Sequence, residues 1–318
     1  MKYRRLGNCT DDVSAIGLGG MAMTGIYGPA DEGEAIATVH AGQNFIDTSD
    51  AYAGGMNEEM FAVVLMERRA DVFLATKFGN LGGSTDGRPD YVVEACDKSL
   101  QRLGIDTIDM YFQHRVDAAV PIEDTVGAMS RLVDAGRVRW LGLSEAGPDT
   151  IRRVHATHPI SALQTEYSLW MRFVEDDCLP LLRELRIGLV PYSPLGRGML
   201  TGMLDGFDSL AENDRCKDHP RFTAENINNN MGVIQPLKAI ATEKGVSPSQ
   251  LAIAWLLHQG DDIVPIPGTK RRTHLAENME VVDIDLSADD VARIGASVKP
   301  DAVSGTRYPE KQLGGLGI

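Results

Sequence analysis

Short apolar runs recur along the chain at a nearly constant spacing. They cover Ser14–Gly20, Asn44–Asp47, Val72–Lys77, Ile108–Gln113, Val138–Leu143, Ala162–Gln164, Gly188–Tyr192 and Ile263–Ile266. Each is apolar at successive positions, as a strand buried on both faces requires. Stretches of 3.6-residue periodicity lie between them, such as Val92, Cys96, Leu100 and Leu103. Most runs start about 25 to 35 residues apart, the length of one βα unit. Eight such units predict an α/β fold of the (β/α)8 TIM-barrel type. A doubly wound sheet is the alternative, but no GxGxxG fingerprint with a downstream acidic residue follows the first run.

Two features lie outside this rhythm. Residues Tyr3 to Val13 predict an N-terminal β-hairpin around Gly7-Asn8. About 70 residues separate the seventh run from the eighth, too many for one crossover. Leu200 to Asn230 is polar and predicts a long loop insertion over the barrel mouth, followed by helices at Met231–Lys244 and Leu251–His258, the second capped by Ser247. The glycine-rich tail from Lys299 to Ile318 is expected on the surface. The whole chain, 1–318, reads as one barrel domain.

Composition narrows the function classes. A net charge of −14 opposes nucleic-acid binding as a main role. No run of about 20 apolar residues is present to span a membrane. The first residues lack the apolar core of a signal peptide. The four cysteines have no metal-like spacing, so reduced thiols and a cytoplasmic location are expected. The oligomeric state is left open.

Candidate chemistry collects at the C-terminal ends of the strands, the face where barrel active sites form. The second run ends in Asp47, with Tyr52 in the loop beyond it. The third ends in Lys77, and His114 follows the fourth. Singly, these residues could be a helix cap, a packing ring, a surface lysine and a turn histidine. Together they suggest a general acid facing a polarised carbonyl. A free tyrosine has a pKa of about 10, and lowering it by about 3 units takes about 4 kcal/mol. One cation about 4 Å away, at an effective dielectric near 20, supplies about that much. Lys77, kept charged by Asp47, is expected to acidify Tyr52 in this way.

The sequence Asn-Phe-Ile-Asp-Thr-Ser-Asp-Ala-Tyr at 44–52, with Ala-Thr-Lys at 75–77 and Gln-His-Arg-Val-Asp at 113–117, resembles the aldo-keto reductase superfamily over essentially the whole chain. The resemblance implies NADPH-dependent reduction of aldehydes or ketones to alcohols, with a small-molecule carbonyl as substrate and NADPH/NADP+ as cofactor. It makes Tyr52, Asp47, Lys77 and His114 a catalytic tetrad, with Tyr52 as proton donor. It places Gly20 and Met21 against the cofactor, and Ser144, Glu145 and Gln164 at the nicotinamide amide. Tyr192 would stack on the nicotinamide ring. The small-residue loop Ser193, Pro194, Leu195, Gly196, Arg197 and Gly198 would approach its phosphates, with Ile266, Gly268 and Thr269 beside them. Lys270 and Arg272 are candidates for the 2′-phosphate. His274 stands beside them where an arginine is frequent, and Glu277 and Asn278 match adenine contacts. Met23, Tyr27, Trp170 and Arg221 are candidates for the substrate pocket. Two other readings share this framework: a barrel that binds NADPH as a redox-sensing module with little turnover, and a Schiff-base lyase using Lys77.

Overall fold

The computed structural model describes residues 2–318. Seven parallel strands neighbour one another in chain order: β3 (Leu18–Gly19), β4 (Phe45–Asp47), β5 (Phe73–Phe78), β6 (Ile108–Gln113), β7 (Val138–Ser144), β8 (Ala162–Glu166) and β9 (Gly188–Tyr192). The eighth run closes the barrel without forming a full ladder. On one side Val264 and Ile266 donate to the carbonyls of Leu189 and Pro191. On the other, Gly17 and Gly19 donate to the carbonyls of Pro265 and Pro267. These prolines occupy the positions whose N–H would face β3, so half of that ladder cannot form.

Before the barrel, β1 (Tyr3–Arg5) and β2 (Asp12–Ser14) pair antiparallel, as the hairpin pattern predicts. The hairpin plugs the N-terminal end of the barrel. Its buried Leu6, Cys9 and Val13 join Phe45, Phe73, Ala75, Met110, Phe112, Ala162, Val190, Val264 and Ile266 in one inner core.

The helices pack outside the strands. They are α1 (Glu32–Ala41), α2 (Met56–Arg68), α3 (Pro89–Leu103), α4 (Ile122–Asp134), α5 (Pro148–Thr157), α6 (Cys178–Leu185), α7 (Ala224–Val233), α8 (Gln235–Lys244), α9 (Pro248–Leu257), α10 (Arg272–Glu280) and α11 (Ala288–Ser297), with one turn, α12 (Glu310–Leu313), in the tail. Sequence signals mark several starts. Asp31 accepts from the N–H of Glu34 to cap α1, and Ser247 with Gln250 forms a capping box on α9. None of the helices among the described residues is long and apolar enough to cross a membrane.

Three expectations change. The helix expected over 231–244 is two helices, because Pro236 lacks the N–H to continue α7. The asparagine run 228–230, expected in a loop, lies inside α7. Asn230 donates to the carbonyls of Arg221 and Ser304 and accepts from the Ser304 N–H, which satisfies a side chain otherwise poor in a helix. The tail does not simply lie on the surface. Arg307 and Tyr308 are buried, and Gly317 donates to the carbonyl of Glu145.

Candidate active site

Alternation along the strands explains why ionisable side chains meet at one end of the barrel. Successive residues of a strand point to opposite faces. Phe45, Ala75, Phe112, Ala162 and Val190 fill the interior. Two residues further on, at the same face and one layer higher, stand Asp47, Lys77, His114, Gln164 and Tyr192. The apolar core therefore ends in a polar layer at the barrel mouth.

Lys77 is fully buried and its ammonium has three hydrogen-bond partners: Asp47 Oδ1 at 2.6 Å, the Thr48 carbonyl at 2.6 Å and the Tyr52 hydroxyl at 3.1 Å. An ammonium has three protons, so none is left over. The second Asp47 oxygen accepts from Gln164 Nε2 at 2.8 Å. Because Tyr52 accepts from Lys77, its own proton is free to point elsewhere, and Tyr52 lines a large cavity at the barrel mouth. Ala53 and Gly54, at φ of 50° and 66°, turn the chain back immediately after it. The His114 ring stands edge-on to the Tyr52 ring, centroids 5.9 Å apart, with Nδ1 3.0 Å from Ser49 Oγ.

The electrostatics differ in one respect from the sequence expectation. Burial pushes Lys77 down, but Asp47 and Tyr52 outweigh it and hold the ammonium above its ordinary value. Burial raises Asp47 against the opposing pull of Lys77. Burial also raises Tyr52, and the nearby ammonium does not overcome it. Lys77 thus pulls the phenol down, as expected, and orients it, but burial outweighs that pull. Burial, with Arg115, Lys77 and Arg215 adding to it, drives His114 well below its usual value, so its ring is neutral.

The cavity has a volume of about 1490 Å³, above the range usual for a single small ligand. Asp47, Tyr52, His114, Met21, Tyr27, Ser144, Gln164, Tyr192, Ser193, Pro194, Leu195, Arg197 and Gly198 line it, as do Ile266, Gly268, Thr269, Lys270 and His274. Arg115, Arg215, Arg271 and Lys311 also line it, a concentration of cations in a strongly acidic protein. Half-buried Arg197 donates to the Tyr27 hydroxyl at 2.7 Å, while its buried Nη2 has no partner. Ala53, Glu145, Ser193 and Arg197, four of the five non-glycine residues with positive φ, lie in or beside this cavity. Such strain concentrates where surrounding structure holds a functional loop in place. A large cleft, a cationic rim and an orphaned guanidinium donor suit an anionic nucleotide.

Several expected residues lie elsewhere. Met23 and Trp170 belong to the packed core, where their apolar surface is better satisfied than in an open pocket. Arg221 is buried against Trp170 and donates to Glu166 at 3.4 Å. Gly20 packs beneath the rim, where an added Cβ would meet Phe61 at 2.6 Å, and Gly196 is closed off by Trp170. Glu145 turns from the cavity to pair with Arg307 and accept from Thr165 Oγ1. Its carboxylate is thus already engaged. Arg272 pairs with Glu34 at 2.8 Å, and Glu277 accepts from Ser247 at 2.5 Å. Asn278 is buried in α10 away from the cavity. Lys270 donates to the carbonyls of Tyr27, Gly28 and Pro29.

Other cavity residues escaped the sequence reading. Arg115 donates to the His114 carbonyl at 2.6 Å and to Ser144 Oγ at 3.2 Å. Its signal was present, a cation directly after the fourth apolar run. Arg271, not Arg272, faces the cavity, a one-residue choice at a helix start. Tyr308 places its hydroxyl 3.0 Å from that of Tyr192, and no pattern in the glycine-rich tail announces it.

Comparison with known proteins agrees with this geometry. The model of the Aldo/keto reductase family matches residues 15–299. The chain belongs to the aldo/keto reductase family. It is 42% identical to the probable aldo-keto reductase 1 of Glycine max over 315 residues, 96% of this chain and 91% of that one. Among solved structures it resembles the holo form of an aldo-keto reductase from Bacillus halodurans, with a TM-score of 0.79 and 26% identity over 98% of this chain and 99% of that one. It also resembles an aldo/keto reductase from Klebsiella pneumoniae in complex with NADP and acetate, with a TM-score of 0.74 and 25% identity over 97% and 98% of the two chains. This member of the family is thus an oxidoreductase built on the (β/α)8 barrel that its apolar spacing predicts.

Proposed function

We propose that the protein reduces an aldehyde or ketone to the alcohol, with NADPH as reductant and Tyr52 as proton donor. One observation carries this reading most: the Tyr52 hydroxyl accepts from a fully committed Lys77 ammonium while facing the cavity. NADP(H), when bound, supplies or accepts the hydride. The protein supplies position and proton. Tyr52 stays protonated because burial raises it, which is the state an acid must hold before it acts. As negative charge develops on the substrate oxygen, that oxygen becomes more basic than a phenolate, and Tyr52 gives up its proton. Lys77 then stabilises the phenolate, and Asp47 with the Thr48 carbonyl keeps Lys77 from moving. The same saturation makes Lys77 a poor amine nucleophile, which disfavours the lyase reading.

Ser144, the free amide oxygen of Gln164 and the ring of Tyr192 would hold the nicotinamide half. Arg197 and Arg271 would hold the phosphates, and Lys270 would join them by giving up one of the three carbonyls it now binds. Turnover of 4-nitrobenzaldehyde with NADPH, followed by loss of absorbance of the reduced nicotinamide, tests the function. Saturable NADPH binding without turnover of any carbonyl compound would replace it with the redox-sensing module.

The choice between neighbouring arginines is a separate prediction. Arg271→Ala is expected to weaken NADPH by about tenfold, or about 1.4 kcal/mol, and NADH much less. Arg272→Ala should have a smaller effect, since Arg272 is occupied by Glu34. Fluorescence titration with both nucleotides decides between them; a larger loss at Arg272 would move the 2′-phosphate contact there.

A further inference from the structure

Ser49 Oγ lies between two groups that compete for it. It is 3.0 Å from His114 Nδ1 and 3.3 Å from Asp50 Oδ1, and it accepts from the Ala51 N–H at 3.1 Å. A hydroxyl has one proton and two acceptor positions. The Ala51 N–H takes one acceptor position, leaving one donor and one acceptor for the two neighbours. The Lys77 carbonyl, 3.5 Å away, competes poorly and already accepts from the Asp50 N–H. With both remaining contacts satisfied, one neighbour donates to Ser49 and the other accepts from it.

Resting on the carbonyl-reductase reading above, we infer that Asp50 is a positioning residue. Acting through Ser49, its carboxyl sets which ring nitrogen of His114 carries the proton, and hence whether the ring offers a donor or an acceptor to the substrate oxygen. When Asp50 is protonated it donates to Ser49, and Ser49 donates to Nδ1. The neutral ring then carries its proton on Nε2, the nitrogen left for the cavity. That tautomer can hydrogen-bond a carbonyl oxygen as it gains charge. When Asp50 is ionised it can only accept. Ser49 turns to it, Nδ1 must donate, and Nε2 becomes an acceptor suited to an alcohol O–H. The relay therefore favours reduction in one state and oxidation in the other.

The surroundings place this change near neutrality. Burial, then the nearby Glu58 carboxylate, push Asp50 up to about 7, against the opposing Arg102 guanidinium. Arg102 is tied to Glu58 at 2.6 Å, and Glu58 also accepts from Thr76. The Tyr91 and Tyr111 phenols approach Asp50 from α3 and β6, both raised mainly by burial and so uncharged. On the histidine side, Lys77, Arg115 and Arg215 all oppose a second proton on the ring. His114 thus exchanges tautomers instead of acquiring charge.

Long-range 1H–15N spectra of 15N-histidine-labelled protein read the tautomer directly, without turnover. The His114 signals are assigned by their loss in His114→Gln. The expected result is Nε2–H below about pH 7 and Nδ1–H above it. Because each substitution breaks the coupling, the switch should vanish in Asp50→Asn and in Ser49→Ala. One tautomer throughout in the parent protein, or an unchanged switch in both variants, would overturn the inference. In kinetics, about pH 8.5 leaves about 3% of such a carboxyl protonated, so reduction should lose up to about 30-fold between about pH 6 and about pH 8.5. Asp50→Asn should flatten that fall; an identical profile counts against the relay. A tautomer switch in a protein that reduces no carbonyl compound supports the relay and removes the carbonyl-reductase reading, so the two fail separately.

Discussion

Tyr52→Phe is expected to lower carbonyl turnover by about 10²- to 10⁴-fold, the usual contribution of a positioned general acid. The dissociation constant for NADPH should change by less than about twofold, or about 0.4 kcal/mol. The substitution removes one oxygen and keeps the ring, so the edge-on packing on His114 persists. Lys77 loses one of three acceptors but retains Asp47 and the Thr48 carbonyl, and so stays in place. None of the phosphate-side residues is touched. Single-turnover and steady-state rates with a reactive aldehyde, beside a nucleotide titration, separate the two effects. Unchanged turnover would remove Tyr52 as the acid, whereas lost nucleotide affinity would show that the phenol shapes the binding site.

A comparably large effect, on stability instead of rate, is expected at Arg307. This residue brings a guanidinium from the tail to the buried Glu145 and Glu166 carboxylates, and stacks on Phe173. Burial pushes Glu145 up, yet Arg307 and Arg115 outweigh it and hold its carboxyl below the ordinary value. Arg307→Ala strands a buried charge, which costs about 3 to 5 kcal/mol. Urea unfolding at neutral pH should show that loss. A depressed carboxylate stabilises the fold above its unfolded pKa, and that gain is lost as pH falls through the folded value. The difference between parent and variant should therefore shrink in acid. A pH-independent difference would assign the loss to packing alone. Pairing Arg307→Met with Glu145→Gln should recover much of the stability, because Glu145 no longer carries an unmatched charge and Glu166 keeps Arg221.

These two positions differ in how visible they are in the sequence. Asp47, Lys77 and His114 each follow an apolar run, and Tyr52 stands five residues after Asp47. Strand alternation then requires three of them to share one face with the core residues below. Barrel class, hairpin, most strand positions and the capped helices α1 and α9 follow from the same local rules. These depend on neighbours within a few residues, where periodicity and capping act.

The structure alone settles partnerships across long sequence separations. Glu145 faces Arg307 rather than the cavity, although 162 residues separate them. Met23, Trp170 and Arg221 turn to the core, and Arg271 takes the cavity position considered for Arg272. The prolines of the eighth run read as a strand but leave an incomplete ladder. The Tyr52 phenol, expected to be acidified by Lys77, is instead raised, because the burial that brings the ammonium close also removes water. Periodicity in the chain thus determined which residues rise to the barrel mouth. Which of them pair, and which remain free to meet a ligand, depends on desolvation and on groups arriving from distant segments, and only the closed barrel brings those together.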